Sequence, residues 1–171
     1  MKHLPTVVVL VFIAGFFWAG QVQAGIPARP GDTTRTYRIA YYEGGPYSDY
    51  AQTMRTFVNG LVELGWISGR PPEITKESPM PYWDWLAHCQ SAHLVFRSED
   101  AYSAGWDEQE RRRIRAELLD RLRAGSLDLV IAMGTWAGQD LANSTHSVPV
   151  LVMSTSDPVG AGIVKSEADS G

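Results

Sequence analysis

The segment Leu127–Met133 (LDLVIAM), closed by Gly134 and Thr135, constrains the fold more than any other part of the sequence. A short, nearly unbroken apolar run is the pattern of a strand buried on both faces, as in a parallel sheet held between two helix layers. Two further segments repeat it. Thr36–Tyr42 (TYRIAYY) is a β-branched and aromatic run ended by Glu43, Gly44, Gly45 and Pro46, and Ser147–Met153 ends in the small polar loop Ser154–Gly162. Helical patterns separate these strands. Met54, Phe57, Val58, Leu61 and Val62 fall on one helical face, with Ser48 expected to cap the helix and Gly65 to stop it. Asp107 opens a charged helix with the apolar stripe Ile114, Leu118 and Leu122; the arginines from Arg111 to Arg115, interleaved with glutamates, are expected to face solvent. Thr135 is expected to cap a helix reaching Leu141 and Ala142. Strand, loop and helix in this order predict a parallel α/β sheet with right-handed crossovers.

Other stretches are less regular. Gly69–Pro81 carries four further prolines around Glu73–Lys76 and leaves room for a short strand near the sheet edge. Pro81–Gln90 reads as a short aromatic helix expected to cover a sheet edge, and Leu94–Phe96 as another strand.

The beginning of the chain stands apart. Lys2 and His3 precede an apolar run from Val7 to Ala19, followed by Gly20, Gln21, Val22, Gln23 and Ala24. This is the pattern of a secretory signal peptide over residues 1–24, cut after Ala24. The run is shorter than the roughly 20 residues that span a bilayer. Residues 25–35 then form a leader rich in Pro, Gly and Thr, and the globular lobe is expected over 36–164. Export to the periplasm is therefore expected. The one cysteine, Cys89, excludes an internal disulfide and lies too far downstream to carry a lipid anchor. A formal net charge of −4 argues against a nucleic-acid partner.

In open parallel sheets a ligand sits outside the carboxyl ends of the strands, where loops meet helix amino-termini. Three such loops are readable: Glu43–Ser48, Gly134–Gly138 (GTWAG) and Ser154–Gly160 (STSDPVG). Gly134 allows close backbone approach and Thr135 offers a hydroxyl, a pairing suited to a carboxylate or hydroxyl of a small ligand; the alternative is that both merely turn and cap the chain. Tyr41, Tyr42, Tyr47 and Trp136 offer flat contact to an aromatic or sugar ring, although strand alternation makes Tyr41 an equal candidate for the core. Catalysis, metal and cofactor are not expected. There is no G-x-S-x-G, Walker-type loop or G-x-G-x-x-G, and His88, Cys89 and His93 lack a fourth metal partner.

The path from Ile39 through ELGW (Glu63–Trp66), DLVIAMGTWAGQDLA (Asp128–Ala142) and VPVLVMSTSDPVGAGIV (Val148–Val164) resembles the ABC transporter substrate-binding family, whose members include tryptophan and tyrosine binders. The resemblance implies a type I periplasmic binding protein, in which two flavodoxin-like lobes with three-layer parallel sheets close on a ligand and present it to an inner-membrane ABC permease. It implies a ligand that is an amino acid, sugar or heterocycle, and a first-lobe share of the cleft at Tyr42, Glu43, Gly44, Tyr47, Gly134, Thr135, Trp136, Ser154, Ser156 and Asp157. Two departures stand out. The Trp- and Tyr-rich stretch Tyr82–Trp106 is not a general feature of the family, and the sequence given stops at Gly171, so residues 165–171 are expected to be a truncated crossover toward a second lobe. The alternative functions are a periplasmic sensor lobe serving a signalling partner and an exported α/β hydrolase.

Overall fold

The computed structural model describes residues 35–73, 78–166 and 168. The signal peptide and most of the leader fall outside the described residues, as do most of the short strand expected around Glu73–Lys76 and most of the expected crossover. The elements run β1 (Tyr37–Glu43), α1 (Tyr50–Glu63), α2 (Met80–His88), β2 (Leu94–Ser103), α3 (Glu108–Arg123), β3 (Leu129–Met133), α4 (Gly134–Leu141) and β4 (Val150–Met153). All strand pairs are parallel, in the order β2-β1-β3-β4. This is the flavodoxin-like α/β arrangement anticipated for one lobe of a type I periplasmic binding protein.

Two cores follow from strand alternation. On one face Ile39, Tyr41, Ile131 and Met133 pack against α1 and α2 through Met54, Val58 and Trp83. On the other, Ala40, Tyr42, Val130 and Ala132 pack against α3 and α4 through Ile114, Leu118 and Leu141. The inner strands β1 and β3 are covered on both sides, which is why their sequences show no polar alternation.

Helix ends differ from expectation in two places. The residue before α1 is Asp49 rather than Ser48, and its side chain makes no capping bond. Gly65 has φ +75° and supplies the left-handed turn that ends this segment. Thr135 does not cap α4; the helix already begins at Gly134, and the Thr135 hydroxyl turns instead to that of Thr155, 3.2 Å away. Asp107 does cap α3, accepting from the Glu110 amide at 2.8 Å.

The strand expected over Leu94–Phe96 extends to Ser103. Between the pairs Ile39/Phe96 and Tyr41/Ala101 the register slips, and the polar run Arg97–Asp100 bulges from the ladder. Asp100 there is 3% exposed and is held by Arg121 at 2.5 Å. The aromatic helix α2 packs over β2, the edge strand of the sheet, with Trp83 tilted on Tyr41 at 5.8 Å and edge-on to Phe96 at 5.5 Å.

Candidate functional site

The carboxyl ends of the four strands surround a half-open cleft of about 450 Å³. Each wall comes from a strand-end loop. After β1 the chain supplies Tyr47, Asp49 and Tyr50; after β2, Trp106; after β3, Thr135 and Trp136; after β4, Ser154, Thr155 and Ser156. Rings from Tyr47, Tyr50, Trp106 and Trp136 thus meet a set of four hydroxyl-bearing residues. Such a mixture of flat apolar surface and small hydrogen-bonding groups suits an organic ligand of modest size.

Trp106 is held firmly although the residue is 45% exposed. Its amide donates to Gly44 O at 2.8 Å, its indole N–H donates to Pro46 O at 3.2 Å, and its ring meets that of Trp136 edge-on at 5.3 Å. Its φ is +64°, an unfavourable backbone region for a bulky residue and one often found at functional sites. Gly44 and Gly45 make this approach possible, since a Cβ at Gly44 would stand 2.8 Å from Trp136 Cβ and one at Gly45 2.7 Å from the Trp106 ring.

Trp136 is backed by charge. The Arg111 guanidinium lies 4.3 Å from its ring centroid and binds Asp140 through Nε at 2.9 Å and a terminal nitrogen at 3.0 Å. Arg115 Nε also reaches the Asp140 carbonyl at 3.2 Å. The expectation that the arginines from Arg111 to Arg115 face solvent therefore fails for Arg111, whose side chain is 18% exposed, because α3 turns it onto α4.

Tyr50 forms the floor. It is 4% exposed, its ring lies 5.5 Å from that of Tyr47, and its hydroxyl rests against Gly134, where any Cβ would overlap it. Burial pushes the Tyr50 phenol up from its ordinary pKa, and Glu43 and then Tyr47 push it further in the same direction.

The structure draws Tyr47, Thr135, Trp136, Ser154 and Ser156 together at this cleft. Gly44 and Gly134 shape it through their backbones. Tyr42 does not belong there. It is fully buried on the α3/α4 face, and its hydroxyl donates to Asp140 at 2.8 Å, because alternation along β1 turns it away from α1. Glu43 closes β1 and is 3% exposed, beneath the cleft rather than in its lining, and accepts from Tyr41 at 2.6 Å and Ser103 at 2.8 Å. Asp157 is exposed, outside the lining, and occupied by its own turn, accepting from the Gly160 amide at 2.7 Å.

Sequence reasoning missed Asp49, Tyr50, Trp106 and Thr155. For Tyr50 a signal existed, since it lies four residues before Met54 on the buried stripe of α1 and directly follows the first strand-end loop. Trp106 carries no periodic signal.

His88, Cys89 and His93 lie at the opposite, amino-terminal end of β2. The His88 Nδ1 is paired with Asp84 O at 2.7 Å, and burial pushes the Cys89 thiol up. Among the described residues no three His, Cys, Asp or Glu side chains are grouped to hold a metal ion, and no helix is long and apolar enough to cross a membrane.

This sheet order, with a cleft at the strand ends, defines a flavodoxin-like α/β lobe. Residues 102–171 match the family described as ABC transporter substrate binding protein, and the resemblance drawn from the sequence is supported over that span. The structure is similar to a conserved domain protein from Vibrio cholerae O1 biovar El Tor strain N16961, with a TM-score of 0.50, 19% identity, and coverage of 77% of this chain and 35% of that one. A ligand-free, open substrate binding protein with adhesive properties from Clostridium difficile gives a TM-score of 0.50 at 22% identity, covering 77% and 35%. An ABC domain in complex with L-Trp from Streptococcus pneumonia gives 0.50 at 20% identity, covering 77% and 34%. The chain spans about a third of the length of these structures. A comparison with curated proteins finds no match.

Proposed function

We propose that this chain is the first ligand-binding lobe of an exported solute-binding protein that delivers a small molecule to an ABC importer without altering it. The observation that carries this reading is the strand-end cleft, where Trp106 and Trp136 meet the hydroxyls of Thr135, Ser154, Thr155 and Ser156 on a lobe whose residues 102–171 match the substrate-binding family. The aromatic walls favour a ligand with a flat ring, and the L-Trp held by the Streptococcus domain belongs to that class.

In this reading a second lobe supplies the facing wall, and hinge closure presents the ligand to a permease. Isothermal titration with a panel of aromatic amino acids, sugars and heterocycles tests it. Saturable binding of a ring-bearing compound recovered unchanged supports the proposal. Chemical conversion of the bound compound points to an enzyme, and absence of binding across the panel, by the chain and by a two-lobed form alike, overturns it.

A further inference from the structure

Trp106 and Trp136 line the same cleft but are held in different ways. The Trp106 indole is pinned by its own N–H, which donates to Pro46 O at 3.2 Å. Trp136 is only partly buried, and among the described residues its indole N–H donates to nothing. Ring contacts alone orient it: Trp106 edge-on at 5.3 Å, and the Arg111 guanidinium over its face at 4.3 Å. Trp106 is itself half-exposed on a left-handed backbone, which leaves Arg111 as the firmer of the two neighbours.

That neighbour is built into place. Asp140 lies four residues after Trp136, on the same side of α4, and accepts from Arg111 Nε at 2.9 Å and from a terminal nitrogen at 3.0 Å. Two bonds to one planar guanidinium fix its plane as well as its position, which a lysine ammonium cannot do. The Asp140 carboxylate is buried and accepts a third bond from the Tyr42 hydroxyl, so the clamp is anchored on β1. Arg111 does not line the cleft, whereas Trp136 does. The cation therefore meets the ring and not the space a ligand would fill.

We propose that Arg111, clamped by Asp140, is a positioning residue of the cleft: it sets the plane of the Trp136 ring and raises affinity without touching the ligand. This rests on the cleft being a ligand site. A ring already held in place loses little freedom when a ligand packs on it, whereas an unbacked ring must be ordered during binding. The inner face of α3, which contributes nothing to the cleft lining, thereby becomes part of the binding apparatus.

Two substitutions separate charge from geometry: Arg111→Met keeps an apolar stem and loses the cation, and Arg111→Lys keeps the cation and loses the fork. The first readout needs no ligand. It is the near-ultraviolet circular dichroism band of the Trp106–Trp136 pair, assigned by its loss in Trp106→Phe and recorded where far-ultraviolet spectra show every protein folded. Arg111→Met should lose most of that band and Arg111→Lys should keep an intermediate share. The second readout is titration with L-tryptophan, which Arg111→Met should weaken by about threefold to tenfold and Arg111→Lys by less. If Arg111→Met does not fold, Arg111→Lys against the native protein carries both comparisons. A folded variant with the native band, or with native affinity, overturns the positioning role and leaves Arg111 a purely structural residue. A native protein that binds neither L-tryptophan nor any of the broader panel overturns the ligand-site reading instead, and the band alone then decides whether Arg111 sets the ring.

Discussion

Arg111 and Trp136 form a stacked pair across the α3/α4 interface, the guanidinium 4.3 Å from the ring centroid, and Asp140 fixes that geometry by binding the same guanidinium twice. The Tyr42 hydroxyl donates to the same carboxylate. A cleft wall is thereby tied to the buried face of β1 through three side chains. Asp140→Asn leaves Arg111 with only the more exposed Glu108, at 3.3 Å, as its charged partner, and should cost about 2 kcal/mol of unfolding free energy. Urea denaturation followed by far-UV circular dichroism measures it, and an unchanged midpoint would show that the pair contributes nothing net.

Gly134 and Tyr50 are matched in the same manner. The glycine has φ +83°, and a Cβ there would overlap the Tyr50 hydroxyl and stand 2.8 Å from Tyr50 Cζ. Gly134→Ala therefore adds backbone strain to a clash at the cavity floor, for an expected loss of about 2–4 kcal/mol. Part of that loss should disappear in a Tyr50→Phe background, where the overlapping oxygen is gone. A double-mutant cycle on thermal or urea unfolding reads the coupling, and strict additivity of the two changes would separate the residues energetically.

Asp128 ties the amino end of β3 to β1. Its carboxylate accepts from the Arg38 side chain and amide at 2.9 Å each, and from Arg35 at 3.2 Å. The Arg38 hydrogen bond, reinforced by Arg35, holds its pKa down to about 2 against an ordinary value of 3.8. A depressed carboxylate pKa stabilises the fold fully above the unfolded value and loses that effect as pH falls through the folded one. Solvent screening at the partly exposed arginines limits the contribution to about 1 kcal/mol. The stability gap between the native protein and Asp128→Asn should thus be steady from neutral pH down to about 5 and close between about pH 4 and 2. A gap independent of pH in urea titrations would contradict the assignment.

The sheet was legible in the sequence wherever burial on both faces left an apolar run, as at β1 and β3, and α1 and α3 wherever one stripe carried the spacing. β2 was only half legible because the charged run Arg97–Asp100 interrupts its pattern; the bulge places Asp100 inside, paired with Arg121, a long-range contact with no local trace. Arg111 was misread for a related reason. Its neighbours on α3 are glutamates and arginines, and only the packing of α4 against that turn reveals an inward face. The loops at Tyr47, Thr135 and Ser154 were found by a rule about strand ends rather than by motif. That rule does not say which way a strand residue points, so it included Tyr42 and passed over Tyr50.

Trp106 combines an exposed indole, a left-handed backbone at φ +64° and contact with Trp136 at 5.3 Å. The fold gains little from such a residue. The strained conformation costs on the order of 1 kcal/mol, similar to what the ring contact and the indole hydrogen bond to Pro46 return. Trp106→Asn keeps a residue tolerant of that backbone while removing the wall, so folding stability should change by less than about 1 kcal/mol. Affinity for a ring-bearing ligand should fall by about tenfold or more, the loss expected for an aromatic stacking partner. Parallel thermal unfolding and ligand titration of the variant separate the two effects. If stability collapses while the surviving folded fraction binds normally, Trp106 supports the loop and not the ligand.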